Sequence, residues 1–104
     1  MINKIPKKTY MEHSADDIKE LIYSTLQNIY NSSDKINWAD WYIGLTIYPN
    51  NEKKQIGKPS EWYYWRAKSA SDAKLIETYF LNKYPIKRGK HPTQYDYFVY
   101  IYKM

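Results

Sequence analysis

One carboxylate stands where chemistry would want it and packing would not. In "SASDAKLIETYFLNKYP", residues 69–85, Ala73, Ile76, Phe80 and Tyr84 recur at steps of three and four, and Glu77 falls within that apolar face. A buried carboxylate is costly unless it is paired or bound to a cation. Glu77 therefore reads as a metal ligand or general base, or as a structural glutamate at a sheet edge, bonded to a tyrosine hydroxyl or to Arg66. A second constellation is cationic. Lys53 and Lys54 lie in "PNNEKKQIGKPS" (49–60), and Lys87, Arg88 and Lys90 in "PIKRGKHPTQ" (85–94), with Tyr63, Tyr64 and Trp65 between them. Cations for phosphate and ring surfaces for bases are what a nucleic-acid face needs. The same rings also suit plain cross-strand packing in a sheet.

Other chemistries are set aside by what the chain lacks. There is no cysteine, so disulfides, thiolate metal sites and thiol catalysis are excluded, and a cytoplasmic setting is expected. His13 and His91 are isolated, and Gly44, Gly57 and Gly89 are too far apart for a phosphate-binding loop. Asp16, Asp17 and Glu20 cluster at a helix start, where the helix dipole accounts for them. Neither a nucleophilic triad nor a zinc site is expected. No apolar run approaches the roughly 20 residues of a membrane helix, and the start "MINKIPKKTYMEHS" lacks the apolar stretch of a signal peptide.

Charge is divided unevenly. Residues 1–52 carry five Lys against seven Asp and Glu, whereas residues 53–104 carry eleven Lys and Arg against four, within a net charge of +5. The basic half is also the half richer in aromatics. Fourteen of the sixteen cations are Lys, however, and the guanidinium, which gives forked contacts to phosphate, occurs only at Arg66 and Arg88.

These residues must be positioned by a small set of elements. The chain's 104 residues suffice for one domain with one core, residues 1–13 forming a mobile start. Ser14 and Asp17 open a helix whose apolar stripe is Ile18, Leu21, Ile22, Leu26, Ile29 and Tyr30, and "NSSD" (31–34) stops it. A strand follows in which Trp41, Ile43, Leu45 and Ile47 form one apolar face and Gly44 leaves room on the other. Residues 49–60 read as a loop. A strand over 61–68, a helix from Ser69 to Tyr84 and a strand over 96–103 complete the chain. The expected fold is α+β: a three-stranded antiparallel sheet, or four-stranded at most, with two main helices in the order α-β-β-α-β and strand order open.

The segments "DWYIGLTIYP" and "EWYYWRAKSASDAKLIETYFLNKYP" resemble the GIY-YIG nuclease fold, with Tyr42-Ile43-Gly44 as the second half of the name on a strand. They resemble more closely small bacterial proteins in which a W-x-I-G-[IL]-T strand leads to a tryptophan strand. An A-x-x-x-E-x-[YF]-[FL] helix and a V-Y-I-Y strand then follow. Here these are Trp41 to Thr46, Ala73 to Leu81, and Val99 to Tyr102, and the likeness covers residues 38–104. The resemblance implies Glu77 as the metal ligand, Tyr42 as the catalytic tyrosine and Arg66 as the nearby guanidinium, with Mg²⁺ as cofactor if the chain is a nuclease. The departures are informative. The superfamily's arginine-bearing helix after the YIG strand corresponds to residues 49–60, which contain neither Arg nor His. A scaffold does not carry its activity with it. The expectation is a non-catalytic binding module on a degenerate GIY-YIG-like scaffold, without metal or cofactor. It would contact DNA or RNA through Lys53, Lys54, Lys87, Arg88 and Lys90. The alternative is a protein-interaction or inhibitor module of phage or mobile-element type, with a divalent-metal nuclease behind both.

Overall fold

A computed structural model describes residues 11–90 and 95–104 of the chain. The elements run β1 (Glu12–His13), α1 (Ala15–Tyr30), β2 (Trp41–Thr46), α2 (Pro49–Ile56), β3 (Glu61–Ala67), α3 (Ala70–Lys83), β4 (Lys87–Arg88) and β5 (Phe98–Lys103). Both long helices start on a serine. Ser14 accepts a hydrogen bond from the Asp17 amide at 3.1 Å, and Ser69 one from the Asp72 amide at 3.1 Å, each satisfying an otherwise orphaned donor. α1 stops at Asn31, whose φ of 64° lies in the left-handed region that asparagine tolerates.

The five strands form one mixed sheet in the order β1-β3-β5-β2-β4. The last strand lies in the middle, antiparallel to both β3 and β2, while the two-residue edges β1 and β4 run parallel to their neighbours. This corrects the three-stranded antiparallel expectation. Parallel neighbours need long crossovers, and here α1, β2 and α2 lie between β1 and β3, and α2, β3 and α3 between β2 and β4. At the start of the chain, Glu12 and His13 pair in register with Arg66 and Ala67. Residues 1–10 of the expected mobile start lie outside the described residues.

Residues 49–60 are not a loop throughout, because 49–56 form α2. Pro49 occupies its first turn, Lys53 and Lys54 its last, and the Gly57 amide closes it on the Lys53 carbonyl at 3.1 Å. Only Pro49 and Glu52 of this helix are buried, so it carries no apolar stripe.

Strand alternation gives the sheet two faces. Trp41, Ile43, Leu45, Val99 and Ile101 point toward α1 and α3 and join Ile18, Ile22, Leu26, Ala73, Ile76 and Phe80 in one core. Tyr63, Trp65 and Ala67 of β3 face the same way. Trp41 settles its indole N–H on the Tyr30 hydroxyl at 2.9 Å, and Trp38 stacks on Tyr84 with ring centres 3.9 Å apart. Among the described residues no helix is long and apolar enough to cross a membrane.

Candidate nucleic-acid interface

The other face of the sheet is built of rings, and register places them in transverse rows. Trp62, Tyr102, Tyr42 and Lys87 are successive neighbours across β3, β5, β2 and β4. Ring centres are 6.1 Å apart for Trp62 and Tyr102, and 4.7 Å for Tyr42 and Tyr102, the latter pair nearly parallel. Lys87 ends the row with its ammonium 4.8 Å from the Tyr42 ring centre, a cation–π distance, and donates to the Ala39 carbonyl. The next row is Tyr64, Tyr100 and Gly44, and the third is Arg66, Phe98 and Thr46. Tyr42, Trp62 and Tyr64 are half-buried, whereas Tyr100 and Phe98 are sealed beneath the face.

Gly44 makes this packing possible. A Cβ there would lie 2.3 Å from the Tyr100 hydroxyl, and a Cβ at Gly89 would lie 2.6 Å from the same atom. The Tyr100 ring thus crosses β2 over one glycine and ends against another, filling the room expected opposite Ile43. Burial, and then the Glu52 carboxylate, push the Tyr100 phenol up from its ordinary range. Burial and the neighbouring Tyr42 do the same to Tyr102. Both phenols are neutral at physiological pH, so the rings beneath the face add no negative charge to repel phosphate.

Cations gather at one edge of this face. The Lys90 ammonium meets the buried Glu52 carboxylate of α2 at 2.6 Å, tying the segment after β4 to the helix. Lys53 and Lys54 follow Glu52 on α2 and are exposed, as is Lys87. Lys87 and Lys90 thus lie at the β4 edge, and Lys53 and Lys54 stand on the exposed surface of α2. Arg88 departs from the group: it pairs in register with Ile43, so it points to the helical face, where its Nε lies 3.8 Å from Glu77.

At the far end of the ring face a pocket of about 310 Å³ opens where β2 passes into α2. Tyr48, Asn50, Asn51, Arg66 and Tyr97 are in its wall. The Arg66 guanidinium lies over the Tyr97 ring at 5.0 Å and pairs with Glu12 at 3.4 Å.

The residues implied by the nuclease resemblance are not brought together. Glu77 is fully buried, as its place on the α3 stripe requires, but it lies on the helical face beside Arg88 rather than beside Arg66. Tyr42 and Arg66 lie on the ring face. The sheet separates Tyr42 from Glu77. Among the described residues no cluster of three His, Asp or Glu could hold a metal ion. His13 is in the edge strand β1, and His91 lies outside the described residues.

The rings are divided as well. Tyr63 and Trp65 pack against the helical core, with the Tyr63 hydroxyl bonded to Glu61, while Tyr64 remains on the ring face. Sequence reasoning missed Trp62, Tyr102 and Glu52. The alternation of "EWYYWRAK" places Trp62 with Tyr64, and that signal was available. In comparisons with known proteins, no family model, no curated protein and no solved structure matches the chain.

Proposed function

We propose that the protein is a non-catalytic, cytoplasmic binding module that contacts single-stranded nucleic acid through the ring face of its sheet. The observation that carries this reading is the row Trp62, Tyr102, Tyr42 and Lys87, three rings in register ending in an ammonium. Unpaired bases, whatever their identity, would stack on the half-buried Trp62 and Tyr42 of this row, with Tyr102 buried between them, because every base has a π-face, and each stacked base contributes about 1–3 kcal/mol. Lys53, Lys54 and Lys90 supply phosphate contacts beside the row. With Lys rather than Arg at these positions, contact with the backbone is favoured over forked readout of base edges. Binding by this face is accordingly sequence-tolerant and depends steeply on salt.

A gel shift with a single-stranded oligonucleotide across a salt series tests the proposal. Retention at about 50 mM salt that fades as salt rises is expected, because released counterions drive the binding. An unshifted oligonucleotide at that salt rules it out.

A second reading rests on Tyr48 and Tyr95, 66% and 65% exposed, at the surface of a chain with thirteen tyrosines. Exposed tyrosine gives large contact area at low entropic cost, which suits a protein-interaction or inhibitor module. One stoichiometric protein partner in a host pull-down, with no nucleic acid retained, would favour it.

A further inference from the structure

On the helical side of the sheet, three phenols meet. Tyr23 of α1 places its hydroxyl 2.9 Å from that of Tyr79 on α3 and 2.6 Å from that of Tyr84, just beyond the helix. Lys83 donates to the Tyr79 hydroxyl at 3.1 Å, and the Lys19 ammonium lies 4.4 Å from the centre of the Tyr79 ring. Lys19 also faces Asp16 at 3.6 Å.

Ionisation of Tyr79 would give this cluster a direction. An ammonium only donates, so the Tyr79 oxygen accepts from Lys83. Among the three protonated phenols either hydroxyl of each pair can donate. Once the Tyr79 phenol loses its proton its oxygen can only accept, so Tyr23 then gives to Tyr79 and receives from Tyr84. A chain of this kind strengthens each of its bonds. Tyr79 is the accepting end, half-buried and flanked by two cations.

We infer that Tyr79 is an activated oxygen nucleophile, the tyrosine of this chain that takes covalent modification by tetrahedral sulfonyl or phosphoryl electrophiles. Lys19 and Lys83 would face the electrophile's oxygens as well as the phenolate. The Tyr23 hydroxyl and the Lys83 ammonium hold the Tyr79 phenol below its ordinary range. Burial, and then the bonds to its two neighbours, push Tyr23 up, so of these two phenols Tyr79 ionises first. Bonding to Tyr79 raises Lys83, which therefore stays cationic. With an aryl sulfonyl fluoride the step balances simply. The phenolic proton goes to water, the Tyr79 oxygen attacks sulfur, the S–O bond forms as the S–F bond breaks, and fluoride leaves.

The test is mass-spectrometric mapping of aryl sulfonyl fluoride adducts on the folded chain near neutral pH. Tyr79 is expected to label faster than the more exposed Tyr48 and Tyr95. Tyr23→Phe and Lys83→Met are each expected to slow Tyr79 labelling by about threefold to tenfold, since one unit of pKa is a factor of ten in ionised fraction. Labelling of Tyr48 in the same sample should not change. Lys83 is exposed, so Lys83→Met keeps the test decisive should Tyr23→Phe disturb the fold. Labelling of Tyr79 no faster than Tyr48, or a Tyr79 rate unmoved by Lys83→Met, overturns the inference.

Discussion

Lys87 and Tyr42 are paired across adjacent parallel strands, and the Lys87 ammonium sits 4.8 Å from the centre of the Tyr42 ring. An ammonium held over a ring is already placed for a phosphate whose base stacks alongside. Lys87→Met should weaken single-stranded binding and lower the slope of log affinity against log salt by about 0.7, the loss of one phosphate contact. Fluorescence anisotropy over a salt series measures both. Stability should change by less than about 1 kcal/mol, the scale of an exposed cation–π contact.

Gly44→Ala should destabilise the fold by about 1–3 kcal/mol, the usual effect of overpacking. The new Cβ would meet the Tyr100 ring, and that ring cannot swing away because its hydroxyl is already against Gly89. A lower urea midpoint with an unchanged m-value is the expected signature.

Glu77→Ala should lower stability by about 1–3 kcal/mol and leave nucleic-acid affinity of the folded protein unchanged. The carboxylate is fully buried on the helical face, opposite the ring row, and its Arg88 partner would be left facing a cavity. Glu77→Leu should be milder, because a well-packed apolar side chain often replaces a buried ion without loss. Urea unfolding and anisotropy on the same variants separate the two effects.

Stability should fall as pH rises past about 10. The phenols of Tyr63, Tyr100 and Tyr102 are all raised from an ordinary value of 10.0, Tyr63 by its bond to Glu61 and the other two mainly by burial. Tyr23 is raised by burial as well. A raised phenol keeps its proton in the folded state after the unfolded chain has lost it. Its contribution is therefore complete below the unfolded value and is lost as pH climbs toward the folded one. Tyr79, lowered, runs the other way, its contribution growing as pH climbs toward the unfolded value and complete above it, but it is one phenol against four. Urea midpoints at pH 7 through 11 check the direction.

Much of the fold was legible because its signals are local. The stripe Ile18, Ile22 and Leu26, the serines at 14 and 69, and the alternation through Trp41, Ile43 and Leu45 each depend on neighbours in the chain. Glu77 stood out for the same reason. α2 was hidden because it buries only Pro49 and Glu52, so no periodicity marks it. Its signals were terminal ones, with Pro49 at the start, Lys53 and Lys54 at the end and Gly57 beyond. The edges β1 and β4 are too short for alternation to register. Partnerships such as Lys90 with Glu52, or Tyr23 with Tyr79, join residues far apart in the chain, and strand alternation gives a face without naming its neighbour.

The claim that the ring face is the binding surface is tested most directly by the affinity of Trp62→Ala for a labelled single strand, measured by anisotropy at about 50 mM salt. Trp62 heads the row and is half-buried on that face. Loss of one stacked base should weaken binding by about 1–3 kcal/mol, roughly fivefold to more than a hundredfold. Lys74→Ala, an exposed change on the helical side, should leave it unchanged. A folded Trp62→Ala that binds as tightly as the unaltered chain would contradict the account.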